Sequence, residues 1–376
     1  MRFALGDACA RFYQNRFWRN TINEGNAVGL TEHLDTWQQR YPALGLPLAV
    51  IYKFVDDQGN YLAALIAYYA FVSLFPLLLL LSTVLGWVLT GHPELRAHVE
   101  HSALSEFPVI GPQLDRPKQL SGGAVGILVG VLGALYGGLG GAQALQNAMN
   151  TVWTVPRNER PDPFRARGRS LLLLATGGLA LLGTSVLSAL GGGAGAFGLG
   201  IKVVALMASV AVNAGVFILA FRISTTRNLT VRQVALGAVA AAVGWQALQS
   251  FGAVYIGHVI KSATATNAVF SLVLGMLAFL YIAATLVVLC AEINVVRVER
   301  LYPRALLTPF TDNVDLTDGD RSTYAAKAEA ERTKVFEKVE VTFGVPPHRT
   351  ATESSEPSIP EAHRAKPENR GNELGG

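Results

Sequence analysis

The chain has 376 residues, of which 51 % are hydrophobic and only 15 % charged, with a net charge of +4 and a mean hydropathy of +0.33. Soluble chains carry roughly 25 % charged residues, so an ordinary water-soluble domain is excluded. The polar residues 311–376 contain no long apolar run, which makes the remainder more apolar still.

Residues 1–60 place Phe12, Phe17 and Trp18 beside Arg11, Arg16 and Arg19. That mixture suits a helix at the headgroup level rather than a cleavable signal peptide, because no apolar core separates the arginines. Residues 47–57 read as a second interfacial helix leading into the membrane domain, with Asp56 and Asp57 near the start of the next helix, where its dipole favours negative charge.

Six stretches have the roughly 20 apolar residues that a bilayer-spanning helix needs: 61–89, 123–144, 171–190, 200–223, 234–256 and 270–291. With the N-terminus inside, seventeen Lys and Arg near the helix ends fall on inner segments and five on outer ones, which predicts cytoplasmic termini. The positive charge then has a topological origin, and nucleic acid is not an expected partner. The expectation is an all-α six-helix bundle at 61–300, preceded by an interfacial segment and followed at 301–376 by a mostly disordered cytoplasmic tail. The tail has five prolines beyond Val345 and one short candidate helix over 324–341.

Polar residues inside spans must face protein or water. In the first span, Tyr69, Ser73 and Pro76 share a face next to Tyr68, either as a packed kink or as a hinge or cavity wall. The second span carries glycines at 126, 130, 133, 137 and 141, a row that lets another helix approach closely. It ends in Gln143, Asn147 and Asn150, which read either as a water-filled mouth or as the helix leaving the membrane, with Trp153 at the interface. Asn213 in the fourth span and Gln246 and Gln249 in the fifth are interhelical glue or substrate-facing groups. Tyr281, Thr285 and Glu292 form one stripe in the sixth. A carboxylate near that helix's C-terminal end opposes the macrodipole and calls for a cation; Arg222 is the candidate. Glu94, His98 and His101 in the first outer loop have helical spacing but lack a fourth ligand, so no metal is expected. Cys9 and Cys290 form no zinc or disulfide pattern, and no cofactor motif occurs.

The stretch Ala63-Ala-Leu-Ile-Ala-Tyr-Tyr-Ala-Phe-Val-Ser-Leu-Phe-Pro76, the span ending Asn147-Ala-Met-Asn-Thr-Val-Trp153, and the last-span pattern from Tyr281 to Ala291-Glu-Ile-Asn294 resemble the YihY/virulence factor BrkB family, over about 46–300. Cys290 stands where that family usually has glycine. The resemblance implies a six-helix bacterial inner-membrane protein without a settled activity. Some members were labelled ribonuclease BN, a name regarded as misassigned, and others are linked with virulence or transport. Three functions remain open: a transporter or flippase for a small or lipid-like substrate, with membrane lipids as partners; a structural envelope protein; and a membrane-bound nuclease, for which no acid/base constellation is visible. A non-enzyme is expected.

Overall fold

The computed structural model describes residues 35, 42–88, 123–191, 198–262, 265–308 and 314–344. Among them every regular element is helical: α1 (Pro42–Asp56), α2 (Gly59–Val88), α3 (Gly123–Val152), α4 (Pro163–Gly191), α5 (Gly198–Ser224), α6 (Val231–Ser262), α7 (Ala265–Val298) and α8 (Asp318–Ala330), with a 3₁₀ turn at Arg157–Glu159.

The six predicted spans map one to one onto α2–α7. Five stretches are apolar and long enough to cross a bilayer: Gly59–Leu77, Ile127–Val152, Leu206–Ser224, Val231–Gly252 and Val273–Val298. The remaining predicted span, the third at 171–190, lies in α4, whose Leu171, Leu172 and Leu179 are exposed. Large apolar side chains cover the outside of the bundle, including Leu132, Tyr136, Met207 and Phe251, as hydrocarbon solvent requires.

Local chemistry sets the helix ends at the arginine-rich side. Asp162 Oδ1 accepts from the backbone N–H of Phe164 (3.1 Å) and Arg165 (2.8 Å), capping α4. Gln233 Oε1 accepts from Thr230 N (2.8 Å) and Thr230 Oγ1 (3.0 Å), closing the first turn of α6. Helices α3 and α7 both outrun their predicted spans, to Val152 and Val298. Hydropathy falls there because Gln146, Asn150, Glu292 and Asn294 follow, yet all four are buried, so the helices continue inside protein rather than ending at water.

The glycine row of α3 lets α2 approach closely. A Cβ on Gly137 would stand 2.5 Å from Ser73 Cβ and 2.6 Å from Ser73 Cα, and one on Gly133 would stand 2.6 Å from the Pro76 ring. Helix α2 runs unbroken through Pro76. The carbonyl that Pro76 leaves free is that of Val72, whereas Ser73 Oγ donates to Ala70 O at 2.9 Å.

One sequence expectation gains detail and one is corrected. The segment read as interfacial is α1, which buries Ala49, Val50, Tyr52 and Lys53 and packs on α7. The tail helix is α8, not 324–341: a reciprocal cap between Thr317 and Asp320 fixes its start, and residues 331–344 are not helical. Its Asp320 and Thr323 are buried, so this part of the tail is docked on the membrane domain instead of solvated. Burial of an acid next to a partner 16 residues away is invisible to composition. The aromatic-basic stretch around Phe12–Arg19, the Glu94–His101 loop and residues 345–376 lie outside the described residues.

Candidate functional site

The arginine-rich end of the bundle holds a buried cluster of ionisable groups. Lys53, at the end of α1, is 1 % exposed, and Glu292 of α7 is 0 % exposed. Lys53 Nζ donates to Asp57 Oδ2 and to the carbonyl of Val152 (2.9 Å), and lies 3.4 Å from Glu292 Oε2. The Val152 carbonyl is an orphan acceptor at the C-terminus of α3, so the amine also caps that helix. Neither oxygen of Glu292 has a hydrogen-bond donor. Beside it on α7, Asn294 Oδ1 accepts from Gly237 N at 2.7 Å, an approach to α6 that only a residue without Cβ allows. Burial alone would lower the pKa of Lys53, but the carboxylates of Glu292 and Asp57 opposite hold it above the ordinary lysine value. Burial pushes the Asp57 carboxyl up against the pull of Lys53.

A second buried cation locks the docked tail. Arg304, 0 % exposed, donates through Nη2 to Asp56 Oδ2 (2.9 Å), through Nε to Asp320 Oδ1 (2.5 Å) and through Nη1 to Thr323 Oγ1 (3.2 Å). These bonds tie α1, the segment after α7 and α8 together, and Lys327 adds a bond to the Asp56 carbonyl. The segment beyond α8 reaches the turn between α3 and α4 through Arg332–Glu159 (2.8 Å) and Arg157–Glu331 (2.7 Å).

Between these elements lies a polar cavity of about 520 Å³, walled by Lys53, Trp153, Thr226, Arg227, Glu299 and α8 residues Thr323 and Glu329, among others. Arg227 stacks over the Trp153 ring at 5.6 Å and pairs with Glu299 at 2.9 Å. A second cavity, about 320 Å³, sits on the bundle axis: Ile66 and Ala70 of α2, Leu145 of α3, Gly177 of α4, Asn213 and Phe217 of α5, Trp245 of α6 and Ala284 of α7 are on its wall.

The residues predicted from sequence divide between inside and outside. Ser73, Asn150 and Glu292 are buried. Asn150 Oδ1 accepts from Thr225 Oγ1 (3.2 Å), Thr226 N (3.1 Å) and Thr226 Oγ1 (3.3 Å), fixing the α5–α6 loop. Tyr69, Pro76, Asn213, Gln246, Gln249 and Thr285 are half-buried, and of these only Asn213 is on the axial cavity. Tyr68, Gln143, Asn147 and Tyr281 face outward, and Asn147 Oδ1 accepts from Arg160 Nη1 at 3.1 Å. The amide turned inward is Gln146, whose Nε2 donates to Ser170 Oγ (2.8 Å) and Ala166 O (3.1 Å) on α4. The cation facing Glu292 is Lys53, not Arg222, which is exposed and donates through Nε to Leu229 O at 2.9 Å. Helix α1 packs on α7 and brings its amine to Glu292. The available signal was a lysine within the apolar run 46–55, four residues before an aspartate.

The model of the virulence factor BrkB family matches residues 50–312, which includes α2–α7 and the Arg304 segment. The chain belongs to this family. It is 27 % identical over 262 residues to an uncharacterized protein of Dickeya dadantii (strain 3937), covering 64 % of this chain and 79 % of that one. It is 24 % identical over 278 residues to the inner membrane protein YhjD of Escherichia coli (strain K12), covering 67 % and 81 %. No solved structure matches. This BrkB-family chain is a multi-pass helical membrane protein.

Proposed function

We propose that this BrkB-family protein is a carrier, moving an amphipathic, lipid-like molecule across the plasma membrane with both termini in the cytoplasm. The observation that supports the reading is the axial cavity, because all six long helices contribute to its wall and that wall is apolar apart from a few groups such as the Asn213 amide and the Trp245 indole. Its volume of about 320 Å³ is at the lower end of ligand sites, and a mostly apolar wall with few polar groups is their usual composition. Carriers place substrate where helices meet within the bilayer. The seventeen-to-five division of Lys and Arg supports the orientation. A non-enzymatic role without nucleic acid fits the way Arg157, Arg227, Arg304 and Arg332 are engaged in internal pairs. The outward faces of Gln143 and Asn147 favour the alternative, a structural membrane protein whose polar groups only join helices.

The two readings part in vesicles. Purified protein reconstituted with fluorescent-headgroup phospholipids should let an impermeant quencher bleach more than the outer-leaflet half of the dye. Gly177→Phe is the paired variant: Gly177 borders the cavity, and a Cβ there meets nothing within 4 Å, so the ring fills the space without a backbone clash. The variant should keep the wild-type unfolding temperature and lose the activity. Wild-type protein that moves none of the zwitterionic, anionic or neutral probes would reject the carrier reading.

A further inference from the structure

We propose that Glu292 is a proton-binding site served from the polar cavity at the arginine-rich end. The argument is a charge balance in a dry place. Among the described residues the linked clusters hold the cations Lys53, Arg304 and Lys327 against the carboxylates of Asp56, Asp57, Glu292 and Asp320, four acids to three cations. Arg304 is committed to Asp56 and Asp320, and Lys53 Nζ makes its hydrogen bonds to Asp57 and the Val152 carbonyl. The surplus therefore rests on Glu292. Its carboxylate is fully buried, and among the described residues its nearest cation is 3.4 Å away and no donor makes a hydrogen bond to either oxygen. Paired charges contact at about 2.7–2.9 Å, and an ionised carboxylate without donors in such surroundings is among the costliest groups a protein can bury.

Among the described residues the other elements around α7 bring no compensating charge to this level. Over their described lengths α2 and α3 carry tyrosines as their titratable groups. Helix α6 carries Arg232, whose carbonyl accepts from Arg297, and at its opposite end Tyr255, His258 and Lys261. Among the described residues no three acidic, imidazole or thiol groups converge to hold a metal ion, and the species assigned to neutralise Glu292 is a proton. It forms an O–H bond on Glu292. Lys53 lies on the cavity wall and within 3.4 Å of Oε2, so its ammonium can give a proton to the carboxylate and take one back from the cavity side.

Ionisable groups within a membrane domain commonly mark proton paths. A coupling role for this proton rests on the carrier reading, whereas its binding does not. The test is infrared difference spectroscopy on the purified protein in lipid nanodiscs at pH 7, following the carbonyl band of a protonated carboxyl and its shift in deuterium oxide. Wild type should show the band and Glu292→Gln should lose it, while Asp57→Asn, which removes the surplus negative charge and frees Lys53 for Glu292, should weaken it. If the glutamine variant does not fold, Glu292→Asp retains an acid and should move the band in frequency. No protonated-carboxyl band in wild type, a band untouched by either Glu292 substitution, or a band abolished by sodium but not by choline would overturn the proposal. A band that passes these tests in a protein that moves no lipid would overturn the carrier reading alone.

Discussion

At the scale of single residues, the strongest dependence is on Lys53. Removing one partner of a buried charge cluster leaves the others uncompensated, at a cost of about 3–5 kcal/mol. Lys53→Met should therefore lower the unfolding temperature in detergent, and Lys53→Met combined with Asp57→Asn, which removes the carboxylate that the lysine pairs with, should recover much of the loss. The same lysine sets a pH dependence. Its folded-state pKa lies above the ordinary 10.5, so its stabilisation is fully present below about pH 10.5 and is lost as pH rises through the higher folded value. Thermal unfolding followed from pH 8 to pH 11 should decline at the upper end in wild type and stay flatter in Lys53→Met. Glu292 was recognisable in the sequence as an acid needing a cation, because helix position alone makes that demand. The cation was not recognisable, since Arg222 and Lys53 are equally plausible until the chain is folded.

Between helices, the glycines of α3 are not equivalent to those elsewhere. A Cβ at Gly137 would meet the Ser73 backbone at 2.6 Å, whereas one at Gly215 of α5 meets nothing within 4 Å. Gly137→Ala should destabilise by about 1–3 kcal/mol through overpacking, and Gly215→Ala should be neutral or gain up to about 1 kcal/mol of helix propensity. Paired thermal melts check both. The spacing of the glycine row announced a close approach, and α2 is the helix that takes it. Docking of α8 depends on a different kind of contact. Asp320→Ala strips Arg304 of one buried partner and should loosen α8, seen as faster hydrogen exchange over 318–330 with little change in the α2–α3 amides. Arg157→Ala breaks a pair whose side chains are 58 % and 66 % exposed and should shift stability by less than about 1 kcal/mol.

For the molecule as a whole, the bundle joins two cavities of opposite character: an axial apolar one of about 320 Å³ and a polar one of about 520 Å³ under the docked tail. The two are tested separately, by lipid movement with Gly177→Phe and by the carboxyl band at Glu292. The number of long helices, their order and the close contact promised by the glycines were all readable from the chain, because a bilayer imposes length and apolarity on each segment independently of its neighbours. Which polar groups turn inward was not readable. Helical spacing puts Gln143, Asn147 and Asn150 on one stripe, yet Gln143 and Asn147 are exposed and Asn150 is buried, because at its end the stripe meets the α5–α6 loop at Thr225 and Thr226. The pairing of Lys53 with Glu292, and of Arg304 with Asp56 and Asp320, links residues up to 248 positions apart. Composition can register such charges but cannot bring them together; only the packing of α1 and α8 onto the bundle removes the water that would otherwise satisfy each one alone.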